Sequence, residues 1–481
     1  SSFEYLTLGS NLLYRDVADG FPYYNTSASY FSRLNYAYQN RYMLTASIRA
    51  DGSSKFADPN KWGYFPSFGL GWVISNEKFM ESQKIFDALK LRGSWGKVGN
   101  STVPANVSVT SVAQNAGLIA IFGGQTTQGA TINTIPPPTT YWERSVGTDI
   151  GLEAAFLKNR LNVEAGYYKR KTEKAIFAID ILGSLGTANN SLTGNQATYE
   201  NKGFEFQVSW TDKATKDISY SINANLGIND NKVLSTVTGS NPIYGGGNGL
   251  ANGSLATRTV LGEPIGHFYG YQVVGIFQTD ADAAPWGAKA GDFQFADLTG
   301  PKGIPDGVID GRDRINLGNP NPKYTYGINT NVNYKQFDLS LDFQGVADVD
   351  IYNANIGWRY GNENFSKDFY DNRWHGAGTS NTYPSAKIGS SYNAKPSSFF
   401  VENGNYFRIR NLQLGYTLSP ALSSKWKMSK LRVFVNAQNP FNFFKYKGFS
   451  PEIGGGPTDA GIDANVYPLY ATYNFGVNVT F

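Results

Sequence analysis

Catalysis needs a few side-chain types at workable spacing, and this chain holds little of that raw material. Its only histidines, His267 and His375, stand far apart in sequence. There is no G-x-S-x-G elbow, no phosphate-binding P-loop and no H-E-x-x-H pair. Nucleophilic, phosphoryl-transfer and zinc-hydrolase chemistry therefore have no local signature. Cysteine is absent, which removes disulfides and thiolate metal sites. The glycine-rich "YGGGNG" at 244–249 lacks the strand–helix setting of a phosphate loop and reads as flexible loop. Glu153, Glu164 and Glu205 fall on the polar side of alternating stretches, where charge stays hydrated; they read as electrostatics, not as an acid and its base. Stacking is what remains. Trp286, Trp358, Tyr360 and Trp374 lie in irregular polar stretches, and aromatic faces can stack on sugar rings or peptide side chains. The same rings can also pack their own loop or face a protein partner.

The elements that would position these residues are strands. At the C-terminus Tyr473, Phe475, Val477, Val479 and Phe481 alternate with Thr472, Asn474, Gly476, Asn478 and Thr480. A period of two is a β-strand with one apolar and one polar face. The same alternation recurs at Leu161–Tyr167, Phe204–Trp210, Ile218–Ile228, Tyr324–Tyr334 and Phe337–Phe343. Short polar turns, as at Gln39–Asn40, Leu157–Asn159, Thr211–Lys216, Lys335–Gln336 and Ser419–Ser429, alternate with long excursions. The long ones cover roughly 97–143, 171–201, 229–322, 347–403 and 439–470. A soluble sandwich also has polar outer faces; short turns at one end and long loops at the other are what mark a transmembrane antiparallel β-barrel. Aromatics crowd the strand ends, where their amphipathic rings suit the headgroup zone.

Composition agrees. Glycine (53), tyrosine (31) and phenylalanine (31) are abundant, while methionine (3) is scarce. Mean hydropathy is −0.35, and the longest apolar run is "LIAIF" at Leu118–Phe122, so no segment suits a membrane-spanning helix. The net charge of +4 is scattered, with no nucleic-acid footprint. The opening "SSFEYLTLGS" has neither the charged nor the apolar region of a signal peptide. About thirteen membrane strands are expected. Single-chain bacterial barrels have even strand numbers, so an odd count points to the C-terminal part of a larger barrel.

Specific phrases resemble a family. "GWVISNEKFM" (71–80), "LKLRGSWGKVGN" (89–100), "NKGFEFQVSW" (201–210), "GEPIGHFYGYQVVGIFQT" (262–279) and "LRVFVNAQNPFNFFKYKGFSPEIGG" (431–455) are similar to the C-terminal half of SusC/RagA-type TonB-dependent transporters of Bacteroidetes. The longer phrases at 141–172, 318–345 and 406–419 follow the same order. The resemblance implies a 22-stranded barrel whose lumen is plugged, with residues 1–481 its C-terminal part and the plug and N-terminal strands not present in it. It further implies import of nutrient oligomers (oligosaccharides or peptides), driven through the TonB complex and assisted by a SusD-like surface lipoprotein. A structural or scaffold barrel within a larger envelope complex is the other reading, and an enzyme the poorest.

The family also carries a calcium-like acidic loop. In "DLTGPKGIPDGVIDGRDR", Asp297, Thr299, Asp306, Asp310 and Asp313 stand at the matching positions. Calcium wants several oxygens gathered by a tight turn. An insertion, Pro301–Pro305, splits this set, and Thr299 stands where the family has asparagine. The alternative is a structured turn whose carboxylates face water or Arg312 and Arg314. At the other end of the chain, Asn474, Gly476, Val479 and Phe481 resemble the signal read by the barrel-assembly machinery. Outer-membrane lipid is the remaining partner.

Overall fold

The computed structural model describes residues 25–104, 111–113, 119–129, 131–137, 139–181, 191–247, 250, 253–356, 364–387 and 392–481. Thirteen strands form one antiparallel sheet in simple chain order. They are β1 (Ser27–Tyr38), β2 (Tyr42–Ser53), β3 (Trp62–Val73), β4 (Ala88–Asn100), β5 (Glu143–Phe156), β6 (Leu161–Asp180) and β7 (Ser191–Asp212). The rest are β8 (Ile218–Thr236), β9 (Tyr324–Tyr334), β10 (Phe337–Ala347), β11 (Tyr406–Thr417), β12 (Lys430–Phe444) and β13 (Thr472–Thr480). Each pairs only with its neighbours in this order, and β1 and β13 do not pair with each other.

The alternation read from sequence fixes the register. Asn223 on β8 pairs with Asn329 on β9, so the polar faces coincide and apolar Ala224 meets Ile328 on the opposite side. The apolar face is open: Tyr473 is 71 % exposed, Phe475 72 % and Tyr30 69 %. Water would not tolerate an exposed apolar band of this extent, but lipid requires one. Among the described residues no helix is long and apolar enough to cross a membrane; crossing falls to the strands.

The turns divide by end. At Gln39–Asn40 both residues have positive φ (49° and 52°), the mirror-image turn whose twist matches a tight hairpin. Leu157, Lys158 and Asn159 repeat that left-handed geometry between β5 and β6. Long connections follow β4, β8, β10 and β12, which all end at the same edge of the sheet.

One expected excursion is largely strand. The stretch 171–201 continues as a projecting hairpin of β6 (20 residues) and β7 (22 residues), well beyond the ~10 residues a membrane crossing needs. Its apolar residues have a core to enter: Ala175, Phe177 and Ala197 are buried with Val233 and Ile265.

The long connections fold together into a packed layer. Ile243–Gly245, Thr257–Thr259, His267–Tyr271 and Arg314–Gly318 make a four-stranded sheet. Asp350–Asn353 pairs with Val401–Asn403 and, in parallel, with Ile462–Asp463, which joins the connection after β10 to the one after β12. Phe268, Tyr352, Phe400 and Ile462 form the shared core. His267–Tyr271 thus belongs to this layer and adds no membrane strand.

Candidate functional site

The polar face of the sheet, which lines the lumen of a closed barrel, has two sectors. From β2 to β7 it is charged. Lys90 Nζ lies 3.0 Å from Glu153 Oε2, and Arg92 Nε lies 2.9 Å from Glu153 Oε1. Arg92, Gly151, Gly166, Glu205 and Gly227 occupy one row across five adjacent strands. The glycine at 151 lets the arginine lie flat, since a Cβ there would sit 2.9 Å from the guanidinium carbon. A cavity of about 260 Å3 opens along this row, lined in part by Arg92, Glu164, Glu205, Gln207 and Asn225. Glu153 is therefore neutralised, whereas Glu164 and Glu205 have no ion pair or hydrogen bond among the described residues and can receive a basic group.

From β8 to β13 side-chain amides predominate on the face, and among them stand Asp342 and the ion pair of Arg432 with Asp338. Asn223, Asn329, Asp342, Asn411 and Gln438 follow one register line, and Asn331, Ser340, Gln413, Asn436 and Asn474 run beside it. Asn331 donates to Asn329 at 2.8 Å and Asn436 to Asn411 at 2.6 Å. An amide offers both a donor and an acceptor without a charge, so these side chains can hydrogen-bond neutral groups.

The loop aromatics separate. Trp374 donates its indole N–H to Gln278 Oε1 at 3.1 Å and packs beside Ile276, Phe293 and Phe295. Its ring edge also lies where a Cβ at Gly291 would fall. That indole is part of the loop core. Trp286 ends a one-turn helix (Ala284–Trp286) and is half-buried, with no hydrogen bond or ring contact among the described residues. Trp358 and Tyr360 lie outside the described residues.

Neither histidine is equipped for catalysis. His267 is fully buried; its Nδ1 lies 3.0 Å from the Pro264 carbonyl, and its Nε2 accepts from Arg258 Nε at 3.2 Å. Burial pushes its imidazole below the usual range, toward the neutral form. His375 is exposed, with Nδ1 3.1 Å from the Arg373 carbonyl.

The acidic loop brings its carboxylates close together, but each is already engaged. Asp313, fully buried, accepts from the backbone N–H of Leu298 (2.9 Å) and Thr299 (3.0 Å) on one oxygen, and of Asp310 (2.8 Å) on the other. Burial alone would raise its pKa, but the amides of Thr299, Asp310 and Leu298 outweigh burial and hold it below the ordinary value. Asp297 accepts from Gly307 N–H at 2.7 Å and Asp306 N–H at 3.4 Å. Asp310 is clasped by Arg312, whose guanidinium binds both oxygens and holds that carboxyl at about 2. Among the described residues no group of three or more acidic, histidine or cysteine side chains is arranged to hold a metal. The calcium expected from the resemblance does not fit this set, because N–H donors and a guanidinium approach where the ion would. The insertion at Pro301–Pro305 is exposed and parts Asp297 and Thr299 from the rest in sequence.

Other ties could not be read from sequence. Asp292 is buried and holds Lys387 Nζ at 2.7 Å and Asn393 Nδ2 at 3.0 Å. Arg408 on β11 reaches Glu452 (2.9 Å) and Gln344 (2.7 Å), pinning the last long connection to the wall. These partners lie 44 to 101 residues apart in sequence, with no local pattern to announce them.

Thirteen neighbour-paired strands, apolar on the lipid side and wet on the other, define part of the wall of a transmembrane outer-membrane β-barrel. The chain belongs to the family described as "TonB dependent receptor-like, beta-barrel", whose profile matches residues 2–440. The family consists of outer-membrane transporters, not enzymes. TonB-dependent receptor P3 of Formosa agariphila is 30% identical over 469 residues, 94% of this chain and 45% of its own length. TonB-dependent receptor SusC of Bacteroides thetaiotaomicron is 30% identical over 474 residues, 95% of this chain and 44% of its own length. In fold, the RagAB peptide transporter superposes with a TM-score of 0.76 at 24% identity, covering 95% of this chain and 47% of the other. The chain thus spans just under half the length of the relatives it matches.

Proposed function

We propose that this chain is the C-terminal wall of an outer-membrane importer that takes up nutrient oligomers, either oligosaccharides or peptides. The observation that carries the proposal is the two-faced sheet: a lipid-facing apolar band, a hydrated polar face, and long connections gathered at one end into a packed layer. The unpaired outer edges of β1 and β13 and the greater length of the relatives support a larger barrel, closed by strands and plugged by a domain outside these residues. Energy enters through the TonB complex, so the wall needs no nucleotide site. A SusD-like lipoprotein docks on the loop layer, and Asn474, Gly476, Val479 and Phe481 present the last strand to the barrel-assembly machinery.

Cargo contacts fall to the amide sector and to Trp286. The relatives' names, SusC and the RagAB peptide transporter among them, favour a nutrient cargo without choosing between the two oligomer classes. The test is growth of a deletion strain on a panel of glycans and peptides, with uptake measured before and after dissipating the proton-motive force. Import predicts loss of growth on one cargo class and collapse of uptake without the force. Undiminished growth on every member, with the barrel retained in an envelope complex, would instead favour the scaffold reading.

A further inference from the structure

The acidic loop of residues 297–313 bridges two strands of the loop layer, Phe293–Phe295 and Arg314–Gly318. Such a loop must balance the charge of Asp297, Asp306, Asp310 and Asp313, which would otherwise repel one another at close quarters. One way is a divalent ion. The geometry points to another: we propose that Arg312 is the resident cation of this loop, and that the loop holds its shape without a divalent metal.

Three observations carry this. First, Arg312 bridges the two acidic segments; its guanidinium binds both oxygens of Asp310, and a terminal nitrogen lies 3.7 Å from Asp306 Oδ2. A planar fork matches carboxylate geometry, and one guanidinium can face two acids at once. Second, the remaining carboxylates are oriented by backbone. Asp313 and Asp310 form reciprocal caps around the short helix Gly311–Asp313, and Asp297 caps the turn at Asp306–Gly307. A lone pair pointed at an N–H is not pointed at a central ion. Third, the Thr299 hydroxyl, which would be a ligand, is directed at the Gly300 carbonyl at 3.5 Å. The inference is independent of what the barrel carries.

Hydrogen exchange read by mass spectrometry on the full-length protein in detergent tests it residue by residue, with saturating calcium or with EGTA. Native protein is expected to show the same protection over 297–313 in both. Arg312→Gln is expected to speed exchange several-fold at Asp306, Gly307 and Arg312. Leu298 and Thr299, bonded to Asp313, should stay protected and show that the loop layer is still folded. Arg312→Lys, which keeps the charge but not the fork, should fall between the two. Calcium that slows exchange across the loop of the native protein would overturn the proposal. So would an Arg312→Gln variant whose loop exchanges like the native one.

Discussion

Trp374 and Trp286 show how much of a residue's role depends on its surroundings. Both are tryptophans in long connections, and sequence offered the same reading for each. Trp374 has its N–H bonded to Gln278 and its ring packed against the layer core, whereas Trp286, also half-buried, has no such partner among the described residues. Trp374→Ala is therefore expected to cost about 3 kcal/mol of loop-layer stability, the low end for packed aromatic truncations, because the ring is partly buried. Trp286→Ala should cost about 0.5 kcal/mol or less; local protease resistance separates the two. The acidic loop gives a pH signature. Asp310 and Asp313 both have depressed folded pKa values, so their stabilisation is complete above the ordinary carboxylate value of about 4 and disappears as pH falls through the folded values. Pepsin, active in acid, should leave 301–308 intact near the upper end of that window and cut it increasingly as pH approaches about 2, the value at which Asp310 protonates. Equal cutting across that range would contradict the assignment. At this scale the sequence picks out the carboxylates but not their partners, which are backbone amides and the Arg312 guanidinium, because spacing alone does not reveal which way a carboxylate turns.

At the scale of elements the reading was strongest, because alternation and register are the same fact seen twice. Val435 and Asn436 are neighbours on β12, yet Val435 pairs with Phe475 on the apolar face and Asn436 with Asn474 on the polar one. Val435→Arg should cost about 2–4 kcal/mol, the penalty for a charge on the lipid face near mid-membrane, whereas Asn436→Arg should be close to neutral. Denaturant titration of the purified barrel measures both, and equal costs would remove the two-faced wall from the account. The projecting part of the β6–β7 hairpin was less legible. Its residues alternate like a strand but also look like a loop, and only Val233 and Ile265, distant in sequence, supply the core that holds Phe177. Likewise, Asp350–Asn353 becomes a strand by pairing with Val401–Asn403 and Ile462–Asp463, which local propensity cannot foretell.

At the scale of the whole molecule, the polar face divides into a charged sector and an amide sector, and that division is the main functional content of the wall. Whatever fills the lumen meets salt-bridged arginine and lysine with two free glutamates on one side, and on the other mostly side-chain amides, with Asp342 and the ion pair of Arg432 with Asp338 among them. Charge patterns of this kind are visible in sequence only after the strands are aligned, since Arg92 and Glu205 share a row while lying on β4 and β7. The central claim is that β8 and β9 stand in a membrane with one face in lipid and the other in water. Spin labels at Ile222, Leu226 and Ile328, and at Asn223, Asn225 and Asn329, in the full-length protein reconstituted into bilayers, test it directly. The account predicts high collision rates with oxygen, which partitions into lipid, at the first three and low rates at the second three. Equal rates at both sets, or the opposite phase, would contradict it.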